Sequence, residues 1–532
     1  MSRFSFNSTL FAIFVATLAG RAATTATWDG ATANWTDAAH WSTAPLFPNN
    51  SNPNFYDAVI NGGSATLNQN ITINRLTLGG GAIDGTFALT ANEGLQWTSG
   101  AIRGAGSLIL GNAVPTTIAG GASVLVLRSR TINNTGAATF SAGTIRGGFG
   151  AVLNNSAGAS FTVLGQANFF ADTSSPAYTI NNAGTFVARS VSGAGFTTID
   201  ATFNNSGSVS VENLGASHTL SLAGGGAQSG AFVLQAGTAL EFGGSTTLQA
   251  GASVSGPGTA FIAGAVNVAA NFSAQKLAIA VGELNVANRL VTVSASATQT
   301  GGTLRVGSGG TFRVTGGTLF VDGGTLTGAG TLEAALDTFG RIEPGAALGT
   351  LAITGAVTLR AGAQLAIELG GTTAGSFDVL GITGPATLGG QLAVSMVNNF
   401  IPAPGATFTI LTATGGVSSG FTNAPIEGTR FQTADGRGSF AIHFTPTSVA
   451  LGQFIPNPPS GLGRIDRESG GGYRVTFTGT PGMTYTIQFT ATLAPPSWQT
   501  LGTAAADSQG VYSFLNTPPA GTSQRFYRSI LP

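Results

Sequence analysis

The sequence predicts an all-β protein, with a parallel β-solenoid of the β-helix type followed by a small C-terminal β-sandwich. Three observations support this fold. Short runs in which apolar and polar residues alternate fill the region 60–360, and such alternation is typical of strands. An asparagine motif recurs at irregular but similar intervals, as expected of stacked repeats. Glycine accounts for 80 of the 532 residues while 42% are hydrophobic, so a core can be buried between frequent turns.

The recurring motif consists of an apolar residue, two asparagines and a nearby glycine. It reads INNTG from 132, LNNSAG from 153, INNAG from 180 and FNNSG from 203. We expect the preceding apolar residue to point inward and the amides to hydrogen-bond along a stack of coils, with asparagine favoured by left-handed turns. A calcium site is the alternative, but it needs aspartates that recur in register. The predicted structural ladder consists of Asn133, Asn154, Asn181 and Asn204.

A finer period gives the size of one coil. Leu304, Phe312, Leu319 and Leu326 follow one another by 8, 7 and 7 residues, so three such units make about 22 residues. This length suits three short strands and three turns, and the region 60–360 would then hold about 14 coils. The segments WTSGAIRG from 97 and FSAGTIRG from 140 would lie two coils apart in one stack.

The composition divides the chain into six segments. Pro, Asn and Ser in FIPNPPSG mark a linker, and the aromatic strands after it indicate a compact sandwich of about six strands. The expected segments are 1–22 signal peptide, 23–59 N-terminal aromatic cap, 60–360 solenoid repeats, 361–453 a further β-rich region, 454–460 linker and 461–532 sandwich module.

The N-terminus predicts export. Arg3, an apolar stretch over 10–19 and small residues near Ala22 form a secretory signal peptide that is too short to span a bilayer. We therefore expect a secreted or outer-surface protein without a transmembrane segment.

Three tryptophans follow the signal peptide at short intervals: Trp28, Trp35 and Trp41. Exposed indole rings could stack on sugar rings, so these tryptophans are possible glycan contacts. The favoured interpretation is a cap, because the open end of a solenoid has an apolar core that must be covered.

Charge and motif content argue against several functions. The formal net charge is zero and Lys276 is the only lysine, so no basic stripe is available for nucleic acid. His40, His218 and His443 lack metal-ligand spacing, and there is no cysteine. We expect no catalytic residue, metal or cofactor.

The densest acidic group is Glu333, Asp337 and Glu343, which could share a face one coil apart. Polysaccharide hydrolysis requires two carboxylates roughly 5–10 Å apart. The favoured interpretation of this group is a solvated rim.

Several segments resemble the β-strand repeats associated with autotransporter passengers and with large bacterial surface proteins. They are TWDGATANWTDAAHWS, GRIEPGAALGTLAITGAVTL, and SFDVLGITGPATLGGQLAVSM with the GATFTILTATGGVSSGF that follows it. The tail has no pattern of membrane-barrel strands. It is similar instead to modules that end large secreted repeat proteins and are taken to sort or attach them.

This resemblance implies a structural or adhesive surface protein without catalytic activity. Its partner would be an extracellular polysaccharide or a cell-surface matrix. The alternative is a carbohydrate-binding or polysaccharide-degrading β-helix protein.

Overall fold

The computed structural model describes residues 22–173, 176–345, 347–457, 461–479 and 481–530. Residues 1–21, which hold almost all of the predicted signal peptide, lie outside these ranges. The protein is nearly all β, with 59% strand and 1% helix, as the sequence predicts. The one short helix in the described ranges is a 3-10 turn over Ala38–His40. None of the described helical segments is long and apolar enough to cross a membrane.

The chain divides into two compact units, residues 1–186 and 187–532. Together they contain about 15 turns of parallel β-solenoid, which confirms the predicted fold class. In each unit a coil contributes one strand to a narrow sheet. The rest of its strands belong to a wide sheet. The boundary between the units falls within the strand Thr185–Ser190.

The first unit contains strands of both sheets. Its wide-sheet strands are Thr24–Thr27, Thr32–Asn34, Tyr56–Leu67, Arg75–Gly85, Leu95–Trp97, Ala101–Ile102, Thr116–Arg128, Ala137–Gly148, Ser160–Leu164 and Asn168–Ala171. Its narrow-sheet strands are Ile71–Ile73, Leu89–Ala91, Ser107–Leu110, Thr131–Asn134, Val152–Asn155 and Thr179–Asn182.

The second unit repeats this arrangement. Its parallel wide-sheet strands are Gly195–Thr198, Ser208–Asn213, His218–Leu222, Ala231–Leu234, Ala239–Phe242, Ser253–Ser255, Thr259–Ile262, Phe272–Ile279, Leu290–Gln299, Thr311–Val321, Thr331–Thr338, Thr350–Ile353, Val357–Leu359, Val379–Ile382, Ala386–Thr387, Phe408–Ala413 and Val417–Ser418. Its narrow-sheet strands are Thr202–Asn205, Gly226–Gln228, Ser245–Leu248, Ala265–Val268, Glu283–Val286, Thr303–Val306, Thr325–Gly328, Arg341–Pro344, Gln364–Leu369 and Gln391–Met396.

Coil length varies along the solenoid, as the irregular spacing of the asparagine motif predicts. In the narrow sheet Leu326 is the register partner of Ile342, whereas Leu153 is the partner of the much more distant Ile180. The side chains of all four are buried, so the coils differ in their loops and keep a common core. Loops outside the ladder tolerate such insertions at little cost in stability.

The two similar segments lie in one column of the first unit, with an aliphatic residue between their aromatic side chains. Trp97 is the register partner of Ile118, which in turn is the partner of Phe140. All three side chains are buried, and the two aromatic residues lie two coils apart. Parallel strands place equivalent residues directly over one another, so repeated sequence positions become columns of contact.

A column of glycines marks the corner before the narrow sheet in the second unit. A Cβ atom on Gly282 would lie 2.2 Å from the carbonyl oxygen of Gly264, and one on Gly302 would lie 2.1 Å from the oxygen of Gly282. No side chain fits at such distances, so glycine is required where successive corners stack. This corner precedes each strand, whereas the sequence motif places its glycine after the strand.

Parallel pairing extends beyond the predicted solenoid segment 60–360 at both ends. It begins with Thr24–Thr27 against Tyr56–Leu67 and continues to Val417–Ser418. An antiparallel set then follows: Arg430–Gln432, Gly438–Thr445 and Ser448–Pro456. The last of these strands pairs with Phe408–Ala413 and covers its free edge, which protects the sheet from pairing with another chain.

The tail is built from two antiparallel three-stranded sheets. One contains Gly461–Arg467, Tyr473–Thr478 and Val511–Asn516, and the other contains Thr484–Thr490, Gln499–Ala505 and Phe526–Ile530. They enclose a core of Val475, Phe477, Tyr485, Ile487, Ala506 and Tyr512. This is the small β module that the alternating aromatic pattern predicts. Of the predicted linker 454–460, residues 454–456 belong to the strand Ser448–Pro456.

Candidate functional site

The predicted asparagine ladder lies on the outer face of the narrow sheet. In the first unit Asn133, Asn154 and Asn181 are register partners on three successive coils. Asn154 Nδ2 donates to Asn133 Oδ1 at 2.8 Å, and Asn181 Nδ2 donates to Asn154 Oδ1 at 2.9 Å. In the second unit Asn204 Oδ1 accepts from the backbone N–H of Ala227 at 3.0 Å.

The backbone of these asparagines differs from the turn conformation expected from sequence. All four belong to strands, and none has a positive φ. The recurrence of Asn133, Asn154 and Asn181 therefore reflects amide-to-amide hydrogen bonding between coils and not left-handed turns.

A second ladder runs beside the first and was not predicted. Asn134 Nδ2 donates to Asn155 Oδ1 at 2.9 Å, and Asn155 Nδ2 donates to Asn182 Oδ1 at 2.7 Å. These side chains are 1% exposed, so the inner ladder lies within the core. Its donors point toward later coils, opposite to those of the outer ladder. Strand alternation could have revealed it, because Asn134 lies two residues after the buried Ile132 and must share its face.

The three N-terminal tryptophans form a closed cluster. Trp28, Trp35 and Trp41 are 3, 0 and 2% exposed. The ring of Trp41 lies 4.9 Å from that of Trp28 and 4.7 Å from that of Trp35. Each indole N–H donates to a backbone carbonyl: those of Ala31, Pro48 and Trp35 respectively. The possible glycan contact is therefore wrong, because no indole face is open to a sugar ring.

The acidic group singled out in the sequence is not brought together. Glu333 and Asp337 belong to the wide-sheet strand Thr331–Thr338, and they pair with Arg313 and Arg360. The chain then turns a corner, so Glu343 lies on the narrow sheet.

Sequence reasoning missed a polar groove on the second unit, although it singled out Glu343, one of the residues that line it. This groove has a volume of about 300 Å³. Glu343, Glu368 and Asp378 supply its carboxylates, and Arg341 and Arg305 supply its cations. Glu368 comes from the coil after Glu343, and Asp378 comes from the loop that follows, so only the fold joins them.

Both cations of the groove have a carboxylate partner. Arg341 Nε donates to Glu343, and Arg341 Nη1 donates to the amide oxygen of Gln364. Arg305 Nε donates to Glu283 Oε1 at 2.9 Å. Burial, with a smaller effect from nearby Glu343, raises the pKa of Glu368.

Asp378 is a buried, hydrogen-bonded residue in the floor of the groove. Its Oδ1 accepts from the backbone N–H of Gly349 at 3.0 Å, and its Oδ2 accepts from that of Glu368 at 2.9 Å. Burial raises its pKa to about 7, in spite of these two donors. Both oxygens are occupied, so Asp378 holds the loop onto the sheet.

Each histidine contacts a different partner. His40 Nδ1 contacts Asp29 at 2.8 Å, and His443 Nδ1 contacts Glu427 at 2.8 Å. His218 is 1% exposed and bonds Thr197. Within the described ranges no group of three His, Cys, Asp or Glu residues could hold a metal ion.

Comparison with protein-family models and with curated proteins gave no match.

Proposed function

We propose that this protein is a structural or adhesive β-solenoid, secreted or displayed on the outer surface of a bacterial cell, and that it has no catalytic activity. The observation that carries the proposal is that the polar side chains of the solenoid contact other parts of the solenoid. On the solenoid many of them bind the neighbouring coil, and each such contact supports the scaffold.

The charged residues show this pattern most clearly. In the first unit Arg103 pairs with Asp84, and in the second unit ion pairs join one coil to the next. Those of the second unit are Arg189–Glu212, Arg305–Glu283, Arg313–Glu333 and Arg360–Asp337. Partly exposed pairs of this kind add little to stability, so their value lies in fixing the register.

The resemblance to autotransporter-associated repeats supports a place outside the cell, and so does the N-terminal sequence. The C-terminal module would sort, anchor or attach the solenoid. Its separate core makes it suited to a task of its own.

Cell fractionation tests this proposal. The full chain should be exported and sensitive to external protease, and a variant lacking 1–22 should stay inside. A chain ending at Asn457 should be exported but should change its distribution between the cell surface and the medium. A full chain that remains cytoplasmic with residues 1–22 uncleaved would refute the surface role.

The groove favours a second candidate function, a polysaccharide-degrading β-helix. Its acid would be Glu368, whose pKa is raised, and its partner would be Glu343. Release of reducing sugar from acidic and neutral polysaccharides should be measured for the protein and for Glu368→Gln, with Glu333→Gln as the control. Activity lost only in Glu368→Gln would establish the enzyme and displace the structural proposal.

A further inference from the structure

One end of the C-terminal module opens into a cleft. Arg467 is the register partner of Tyr473, which in turn is the partner of Asn516, so these residues form a row across three strands. Tyr473 lies two residues before the buried Val475, so the row belongs to the face that covers the core. It is the last row of that face, and there Tyr473 is 37% exposed.

The other wall of the cleft comes from the end of the second sheet. Arg525 and Tyr527 line it, with the loop around Pro518 and Pro519. The cleft has a volume of about 460 Å³, within the range of small-ligand sites.

A buried side chain fixes these groups in place. Asn516 is 6% exposed, donates to the hydroxyl oxygen of Tyr527 at 2.8 Å and accepts from Arg525 Nη1 at 3.3 Å. The Arg525 guanidinium also lies 4.0 Å from the centre of the Phe489 ring. Stacking leaves the remaining in-plane N–H groups of Arg525 able to donate.

Positive charge in the cleft is not neutralised. The segment 461–532 contains five arginines and three acids. The acids are engaged elsewhere: Asp466 with Arg464, Glu468 with Arg474, and Asp507 with backbone N–H groups. Among the described residues neither Arg467 nor Arg525 has a carboxylate partner, and no acid lines the cleft.

We propose that this cleft binds an acidic polysaccharide built from uronic acid residues. Arg467 and Arg525 bind the sugar carboxylates, and the exposed ring of Tyr473 packs against the apolar face of a sugar ring. Two guanidinium groups beside an open aromatic ring match a ligand that alternates charge with flat C–H surfaces. The inference rests on the adhesive function proposed above and names the class of its ligand.

Calorimetric titration of the full chain with polygalacturonate tests the proposal, with dextran as the neutral polymer. The protein should bind polygalacturonate and not dextran, with an affinity that falls as salt is added. Arg467→Gln should weaken binding about ten-fold, because a charge-assisted hydrogen bond is lost. Arg528→Gln is the matched control: it removes the same charge from the same module, outside the cleft, at a side chain that has no carboxylate partner in the described part of the chain.

Four results would overturn the inference. Equal weakening by Arg528→Gln would show that only the net charge of the module matters. If polyglutamate competes with polygalacturonate at equal concentration, and Tyr473→Ala leaves polygalacturonate binding unchanged, the cleft is a general polyanion site. If the Arg467→Gln, Arg525→Gln double variant binds polygalacturonate unchanged, the cleft is not the binding site. The proposed adhesive function is not affected by that result. A protein that binds neither polymer would also refute the inference, and the fractionation experiment would still decide the surface role.

Discussion

The two asparagine ladders of the narrow sheet provide a matched pair of sites in one strand. Asn154 lies on the outer face, where water can replace a lost amide. Asn155 is buried, and its Nδ2 also donates to the carbonyl oxygen of Thr185 at 3.0 Å. Removing the inner amide therefore leaves buried acceptors without a donor, which costs the full desolvation penalty.

We expect Asn155→Ala to lower the free energy of unfolding by about 3 kcal/mol and Asn154→Ala by about 1 kcal/mol. Chemical denaturation of the two variants measures the difference. Equal losses would show that the inner ladder adds nothing beyond the outer one.

His218 makes stability depend on pH. Burial lowers its pKa to about 4, while the unfolded chain titrates near 6.5. Below pH 6.5 the unfolded state binds the extra proton, so the free energy of unfolding falls as pH decreases toward 4, by up to about 3 kcal/mol. His218→Gln should flatten this part of the pH profile, as measured by chemical denaturation at a series of pH values. Parallel profiles for the protein and His218→Gln would contradict the assignment.

At the scale of the element, the glycine column sets how closely coils can stack. Gly302 and Gly316 both have positive φ, at 59° and 67°. A Cβ atom on Gly302 would strike the preceding coil, whereas one on Gly316 meets nothing within 4 Å. Alanine at either position incurs about 1–2 kcal/mol of backbone strain, so their difference isolates the contact between coils.

Gly302→Ala should therefore destabilise the protein by at least about 2 kcal/mol more than Gly316→Ala, as overpacking typically costs about 1–3 kcal/mol. Thermal unfolding of the two variants provides the comparison. Similar melting temperatures would mean that the corner can open without loss.

The strands, the coil and the outer ladder could be predicted from the sequence, because each leaves a local pattern in it. Alternation identified inward residues such as Leu153 and Ile180, and repetition identified the stack. The groove could not be predicted from the sequence, because Glu343, Glu368 and Asp378 come from different coils of unequal length. The cleft could not be predicted either, since only strand pairing places Arg467 beside Tyr473. Local periodicity carries no record of which loops meet.

At the scale of the whole molecule, the stacked solenoid depends on the register between coils. Asn267 and Asn285 are register partners in the second unit, and Asn285 Nδ2 donates to Asn267 Oδ1 at 3.1 Å. Arg305 is the partner of Asn285, one coil further on. Adjacent strands lie about 4.8 Å apart, within disulfide range, whereas two coils span about 10 Å. The chain contains no cysteine, so introduced pairs report without interference.

Oxidation of paired cysteine variants therefore tests the stacked solenoid most directly. The Asn267→Cys, Asn285→Cys variant should form an intramolecular disulfide under mild oxidation, detected by mass spectrometry of the digested protein. The Asn267→Cys, Arg305→Cys variant, which differs by one coil, should remain reduced. A disulfide in the second variant and none in the first would contradict the register on which the scaffold is built.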